Sequence, residues 1–86
     1  MASYEIEVSR TAEKQLKKLP PTDQPRVARA MLALTDDPFP RGSRKLSGYD
    51  DVFRIRVGRY RILYSVSQRA LIIIVLKIGQ RKDIYR

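Results

Sequence analysis

The stretch Val52-Phe53-Arg54-Ile55-Arg56-Val57-Gly58-Arg59-Tyr60-Arg61-Ile62-Leu63-Tyr64-Ser65-Val66 decides how the rest of the chain is read. From 52 to 57 apolar and cationic residues alternate. Phe53, Ile55 and Val57 therefore fall on one face of a strand, Arg54 and Arg56 on the other. Gly58-Arg59 turns the chain, and Tyr60 to Val66 returns as the antiparallel partner. Tyr60 and Tyr64 share a face with Ile62 and Val66, which reads as core packing. Arg61 lies on the partner strand across the turn, in no fixed register to Arg54 and Arg56. A one-residue slip would turn its side chain over, so the pattern alone leaves its face open.

Downstream, Ser67-Gln68-Arg69 is the next turn. Leu71-Ile72-Ile73-Ile74-Val75-Leu76 is an almost unbroken apolar, mostly β-branched run. Such a run reads as a strand covered on both faces, hence the central one. Gly79 is expected to end it, with a polar tail to Arg86. Upstream, Arg44-Lys45-Leu46 reads as a short strand. Asp36-Asp37-Pro38-Phe39-Pro40-Arg41-Gly42-Ser43 is the connector, its prolines and glycine redirecting the chain and Phe39 anchoring it.

Before the connector the period is helical. Val27, Ala30, Met31 and Leu34 form an i, i+3, i+4, i+7 stripe over a helix from Asp23 to Thr35. Thr22 is its expected cap, and Pro25 falls in the first turn, where a missing N–H costs no intrahelical bond. Pro20-Pro21 separates it from a helix over Arg10–Leu19, capped by Ser9, with Ala12, Leu16 and Leu19 on one face. Tyr4-Glu5-Ile6-Glu7-Val8 alternates as a half-buried strand, with Glu5 and Glu7 facing solvent. The order is β-α-α-β-β-β in a single domain, residues 1–86. It predicts an α+β fold of two layers: a curved, mostly antiparallel sheet with a helical hairpin packed on one face.

The chain has 86 residues, 18 of them Lys or Arg and 9 Asp or Glu, giving a net charge of +9. It contains no Cys and no His. Disulfides, thiolate chemistry and the usual imidazole acid–base groups are thereby excluded. Residues 1–40 carry six basic and six acidic side chains, residues 41–86 twelve basic and three acidic. The whole excess belongs to the second half. A concentrated cationic surface captures polyanions: nucleic acid first, an acidic protein second, with a merely solvated sheet face as the plain alternative. The start Met1-Ala2-Ser3-Tyr4-Glu5 lacks a basic then apolar leader, and no apolar run spans a bilayer. A cytoplasmic protein with no membrane partner is expected.

The residues able to carry chemistry are Arg54, Arg56, Arg61, Arg81 and Tyr85, with Arg44, Lys45 and Lys82 nearby in sequence. Converging guanidiniums repel one another unless an anion sits between them. Arginine holds phosphate bidentately and neutralises charge growing on its oxygens. It is a poor general base. Carboxylates in the basic half are too few for a Mg²⁺ site, so this inventory leaves one phosphodiester mechanism: metal-free attack by RNA's own 2′-hydroxyl, with no cofactor. Arginines around Tyr85 would favour its phenolate as proton acceptor; an exposed chain-end tyrosine is the alternative.

In its order of elements the chain resembles the RelE/ParE toxin superfamily of toxin–antitoxin systems. The likeness is sharpest in Asp37-Pro38-Phe39-Pro40-Arg41-Gly42-Ser43-Arg44-Lys45-Leu46-Ser47-Gly48, Phe53-Arg54-Ile55-Arg56-Val57, Tyr60-Arg61-Ile62-Leu63-Tyr64 and Ile78-Gly79-Gln80-Arg81-Lys82-Asp83-Ile84-Tyr85. RelE-type members are ribosome-dependent mRNA endonucleases acting in the A site. The resemblance implies that Arg54, Arg56, Arg61 and Arg81 bind and activate the scissile phosphate. It also implies that Tyr85 helps activate the 2′-hydroxyl or stacks on a base, and that the products are a 2′,3′-cyclic phosphate and a 5′-hydroxyl. An antitoxin partner that wraps the toxin follows from the same resemblance. The chain departs from the best-studied RelE type in having arginine, not lysine, at 54 and 56, and Gln80 where many relatives have His or Lys. ParE-type members instead poison DNA gyrase.

Overall fold

Strand pairing in the second half builds the scaffold on which everything else rests. The computed structural model describes residues 3–80. Its elements are β1 (Glu5–Val8), α1 (Arg10–Lys18), α2 (Gln24–Ala33), β2 (Arg44–Lys45), β3 (Val52–Val57), β4 (Tyr60–Ser67) and β5 (Ile72–Gln80). The five strands form one sheet in the order β1-β5-β4-β3-β2. β1 runs parallel to β5 and every other pair is antiparallel. Both helices pack on one face, as the alternation predicted.

The core lies between that face and the helices. Ala12, Val27, Met31 and Leu34 from the helices meet Ile55, Val57, Tyr60, Ile62, Tyr64, Val66, Ile73, Val75 and Ile78 from the strands. Tyr64 is fully buried, yet its hydroxyl donates to the Pro38 carbonyl at 2.7 Å. Phe39 packs edge-on against Phe53 with ring centroids 4.9 Å apart, and Phe53 stacks on Tyr64 at 6.0 Å. The connector is thus pinned across the sheet by one hydrogen bond and a short aromatic stack. Burial pushes the Tyr64 phenol up to about 12 from its ordinary 10.

Helix α1 begins where Ser9 accepts the Ala12 N–H at 3.0 Å. The Ser9 hydroxyl also donates to the Leu76 carbonyl at 2.9 Å, and Gln15 accepts the Ile78 N–H at 2.7 Å. Beyond Val75, where the pairing with β1 stops, α1 side chains therefore serve the outer edge of β5. Gln24 likewise donates to the Leu19 carbonyl at 2.8 Å, tying α2 to the end of α1.

Four expectations are corrected. The central strand is β4, not the apolar run of β5. Ile72, Ile74 and Leu76 are only half-buried, because among the described residues both helices pack on the other face of the sheet. Gly79 does not end β5; it lies inside the ladder opposite Arg61, and the strand continues to Gln80. Helix α2 starts after Asp23 rather than Thr22 and closes at Ala33, and Asp23 makes no side-chain cap bond because its carboxylate is engaged elsewhere. Strand β2 stops at Lys45, although the Leu46 N–H still donates to the Val52 carbonyl at 2.8 Å. Among the described residues no helix is long and apolar enough to cross a membrane.

Candidate functional site

The two-residue turn between β3 and β4 sets the register on which the site depends. Gly58 takes φ +60°, and a Cβ placed there would lie 2.8 Å from Arg26 Nη1. The positive φ favours glycine, whereas the Arg26 tip, at the end of a flexible side chain, can swing away from an added Cβ. The turn matches Val57 with Tyr60, and from there Arg56 faces Arg61 and Arg54 faces Leu63. The face of Arg61, open in the sequence, is thereby settled: it is the side away from the helices.

Two cross-strand rows result. One runs Arg44, Arg54, Leu63, Lys77; the other runs Arg56, Arg61, Gly79. Directly opposed residues have Cβ atoms roughly 4.5–5.5 Å apart, so these cations form one patch. Arg61 is 7% exposed and is the one buried charged side chain among the described residues. Burial of a charge is costly unless it is hydrogen-bonded, and every buried side-chain nitrogen or oxygen described has a partner. Gly79 stands opposite Arg61 in the ladder and presents no side chain there. Arg56, by contrast, is exposed.

The expected residues divide accordingly. Arg44, Arg54, Arg56 and Arg61 come together on the open face. Lys45 is matched with Phe53 and so belongs to the helix side, exposed at the sheet edge. Arg81, Lys82 and Tyr85 lie outside the described residues. Lys77 joins the patch unannounced. Counting by twos from Ile73 and Val75 puts it in the core, but an irregularity at Leu63/Tyr64 inserts one extra residue in β5. Lys77 then faces Leu63, while Ile78 takes the core position at 1% exposure. A bulge of this kind shifts the phase without marking the sequence.

A second group, also unforeseen, sits at the hairpin end. Tyr60 donates to Asp23 Oδ2 at 2.6 Å, and Arg59 Nη2 lies 3.4 Å from the same oxygen. Arg59 also donates to the Tyr60 hydroxyl, from Nε at 3.4 Å and Nη2 at 3.3 Å. The Tyr60 hydrogen bond first, then the Arg59 and Arg26 charges, hold the Asp23 carboxyl below its usual value, against the opposing pull of burial. The same contacts with Tyr60 and Asp23 raise Arg59 above the ordinary guanidinium. In sequence Arg59 reads as a turn residue and Asp23 as a helix-start residue; nothing local links positions 36 residues apart.

Comparison with known proteins agrees with the geometry. Residues 6–85 match the family model described as the ParE toxin of the type II toxin–antitoxin system parDE. Over 96% of its length the chain is 31% identical to RelE1 of Methanocaldococcus jannaschii, covering 96% of that protein. It is 33% identical to Toxin RelG of Mycobacterium tuberculosis, with 96% of this chain and 97% of the relative aligned. A crystal structure of the archaeal RelE–RelB complex from Pyrococcus horikoshii superposes with a TM-score of 0.82 at 30% identity, covering 94% of this chain and 98% of that one. The chain belongs to the RelE/ParE superfamily of type II toxin–antitoxin toxins.

Proposed function

We propose that this toxin is a ribosome-dependent mRNA endonuclease that stops translation in the cytoplasm by cutting messenger RNA in the A site. The observation that carries this reading is the open sheet face, where Arg56 and Arg61 oppose each other beside the Arg44–Arg54–Lys77 row. In the proposed reaction the 2′-oxygen attacks the adjacent phosphorus and the bond from phosphorus to the 5′-oxygen breaks. The products are a 2′,3′-cyclic phosphate and a 5′-hydroxyl. Arg54, Arg56, Arg61 and Arg81 offset the charge that builds on the phosphoryl oxygens, Tyr85 takes the 2′-hydroxyl proton, and the leaving 5′-oxygen takes a proton from water. Arg44 and Lys82 hold flanking phosphates, whereas Lys45, on the helix side of the sheet edge, does not face the patch. So weak a base calls for a host that holds the strand ready for in-line attack, the role assigned to the ribosome. The +9 charge also suits an acidic antitoxin, and the archaeal relative was crystallised with RelB.

The test is cleavage of messenger RNA in a translating extract, mapped by primer extension. Arg61→Ala is expected to cut at least about 10²-fold more slowly, the range for loss of one charge-stabilising donor. Unchanged cutting by a folded Arg61→Ala protein overturns the site. A gyrase-directed toxin is the second reading, favoured by the ParE description of the matched family model. Inhibition of purified gyrase in a supercoiling assay, with messenger RNA left intact, would establish it instead.

A further inference from the structure

Next to the scissile-phosphate patch, at the hairpin end, lies a cavity of about 250 Å³ lined by Arg56, Gly58, Arg59, Tyr60 and Arg61. We propose that this cavity is a second phosphate subsite, which holds the RNA phosphate neighbouring the one that is cut, with Arg59 as its principal ligand. The proposal rests on the nuclease reading of the patch, and adds to it a residue which that reading does not use.

Three observations support it. First, the cavity shares Arg56 and Arg61 with the patch, so a strand lying on the patch runs continuously into it. Second, Arg59 is held in place before any ligand arrives. Its Nε and Nη2 are occupied by the Tyr60 hydroxyl and Asp23. A guanidinium has five N–H donors, and both on Nη1 are left without a partner among the described residues, on a side chain 64% exposed. A fork fixed in this way gives up little freedom when it binds. Third, the local charge is strongly positive although Asp23 is present. Among the described residues, Arg26, which approaches Gly58, joins Arg56, Arg59 and Arg61, so that the arginines outnumber the Asp23 carboxylate. Asp23 is already engaged by Tyr60 and Arg59, so it orients the fork instead of facing the cavity as a bare anion.

RNA is favoured over a protein carboxylate because the cavity is continuous with the patch. The experiment uses the whole chain and a fluorescein-labelled oligoribonucleotide about ten nucleotides long, 2′-O-methylated throughout so that it cannot be cut. Affinity is measured across a salt series for the wild type, Arg59→Gln, Arg59→Lys and Arg61→Ala. Arg59→Gln is expected to bind several-fold more weakly whatever the base sequence, and its slope of log affinity against log salt should fall by about 0.7, one phosphate contact on a single strand. Arg59→Lys should keep the slope and recover part of the affinity. If Arg59→Gln matches the wild type while Arg61→Ala loses affinity, the subsite is refuted and the patch stands. If neither variant changes binding, the patch reading fails as well. If Arg59→Gln loses affinity only for a polyglutamate peptide, the cavity serves a carboxylate partner and the proposal is overturned.

Discussion

Arg61 and Ile62 are neighbours on β4, at 7% and 0% exposure, yet they are buried for opposite reasons. Ile62 points to the helix side, among Val27, Met31, Tyr64 and other members of a continuous apolar core. Arg61 points to the side away from the helices, in register between Arg56 and Gly79. On one face burial removes apolar area from water and stabilises the fold. On the other it encloses a cation, whose charge then acts through a lower dielectric than water. Apolar packing and positive charge thus alternate along the same strand, and the proposed function places the chemistry on the second. The face away from the helices is itself divided: Glu5 and Glu7 stand beside Ile72 and Ile74 at the β1 edge, and the arginines lie towards β2, β3 and β4.

The sharpest way to break this comparison is a pair of truncations on the two faces. Ile62→Ala should destabilise the protein by about 2–5 kcal/mol, the range for a large aliphatic side chain deleted from a core. In a domain of this size each kcal/mol is worth roughly 4–8 °C of melting temperature, so the loss is large in a thermal scan. Arg56→Ala should do the reverse. Cutting in the translating extract should drop by about 10²-fold, while the melting temperature holds or rises slightly, because like charges directly opposed across a strand pair are unfavourable. A large stability loss in Arg56→Ala, or unchanged melting in Ile62→Ala, would erase the distinction between the faces.

The same contrast explains what could be read before folding. The helix side follows from periodicity, since Phe53, Ile55, Val57, Tyr60, Ile62, Tyr64 and Val66 alternate without interruption through the hairpin. Arg54 and Arg56 were legible for the same reason. Arg61 needed the register, which a glycine turn supplies only in three dimensions. Lys77 was hidden by the extra residue in β5, which reverses the alternation after Val75. Arg59 and Asp23 were hidden by distance along the chain. The apolar run of β5 misled in another way: hydrophobicity measured how poorly the strand tolerates water, not whether a layer exists to cover both its sides.

A smaller effect is expected at Tyr64, where the helix side reaches the connector. Tyr64→Phe keeps the ring stacked on Phe53 and removes the hydroxyl that donates to the Pro38 carbonyl and also contacts the Ser43 side chain. Leaving that carbonyl unsatisfied should cost about 1–3 kcal/mol. The advantage of the wild type is also pH-dependent. The folded state raises the phenol from 10 to about 12, so it favours the protonated form. The contribution is complete below pH 10 and is lost as pH rises towards about 12. Urea titrations of both proteins across that window should converge; a constant gap would show that phenol burial is not its source.

The smallest effect belongs to the hairpin end, where the two faces meet. Asp23→Asn keeps the shape and an acceptor for Tyr60 but removes the charge that Arg59 and Arg26 feel. The folded state lowers this carboxyl below 3.8, so it favours the ionised form. Its stabilisation is present above that value and disappears as pH falls through the lower one. Wild type should therefore melt slightly higher than Asp23→Asn at neutral pH, and at the same temperature once the carboxyl is protonated. Salt should narrow the neutral-pH gap, because Arg59 is largely exposed and its attraction to Asp23 is screened. A gap that persisted at low pH would place the effect in the packing of Tyr60, on the apolar side of the sheet. The hairpin end would then belong to the stabilising face alone, and Arg59 would lose the electrostatic partner that holds its fork in position.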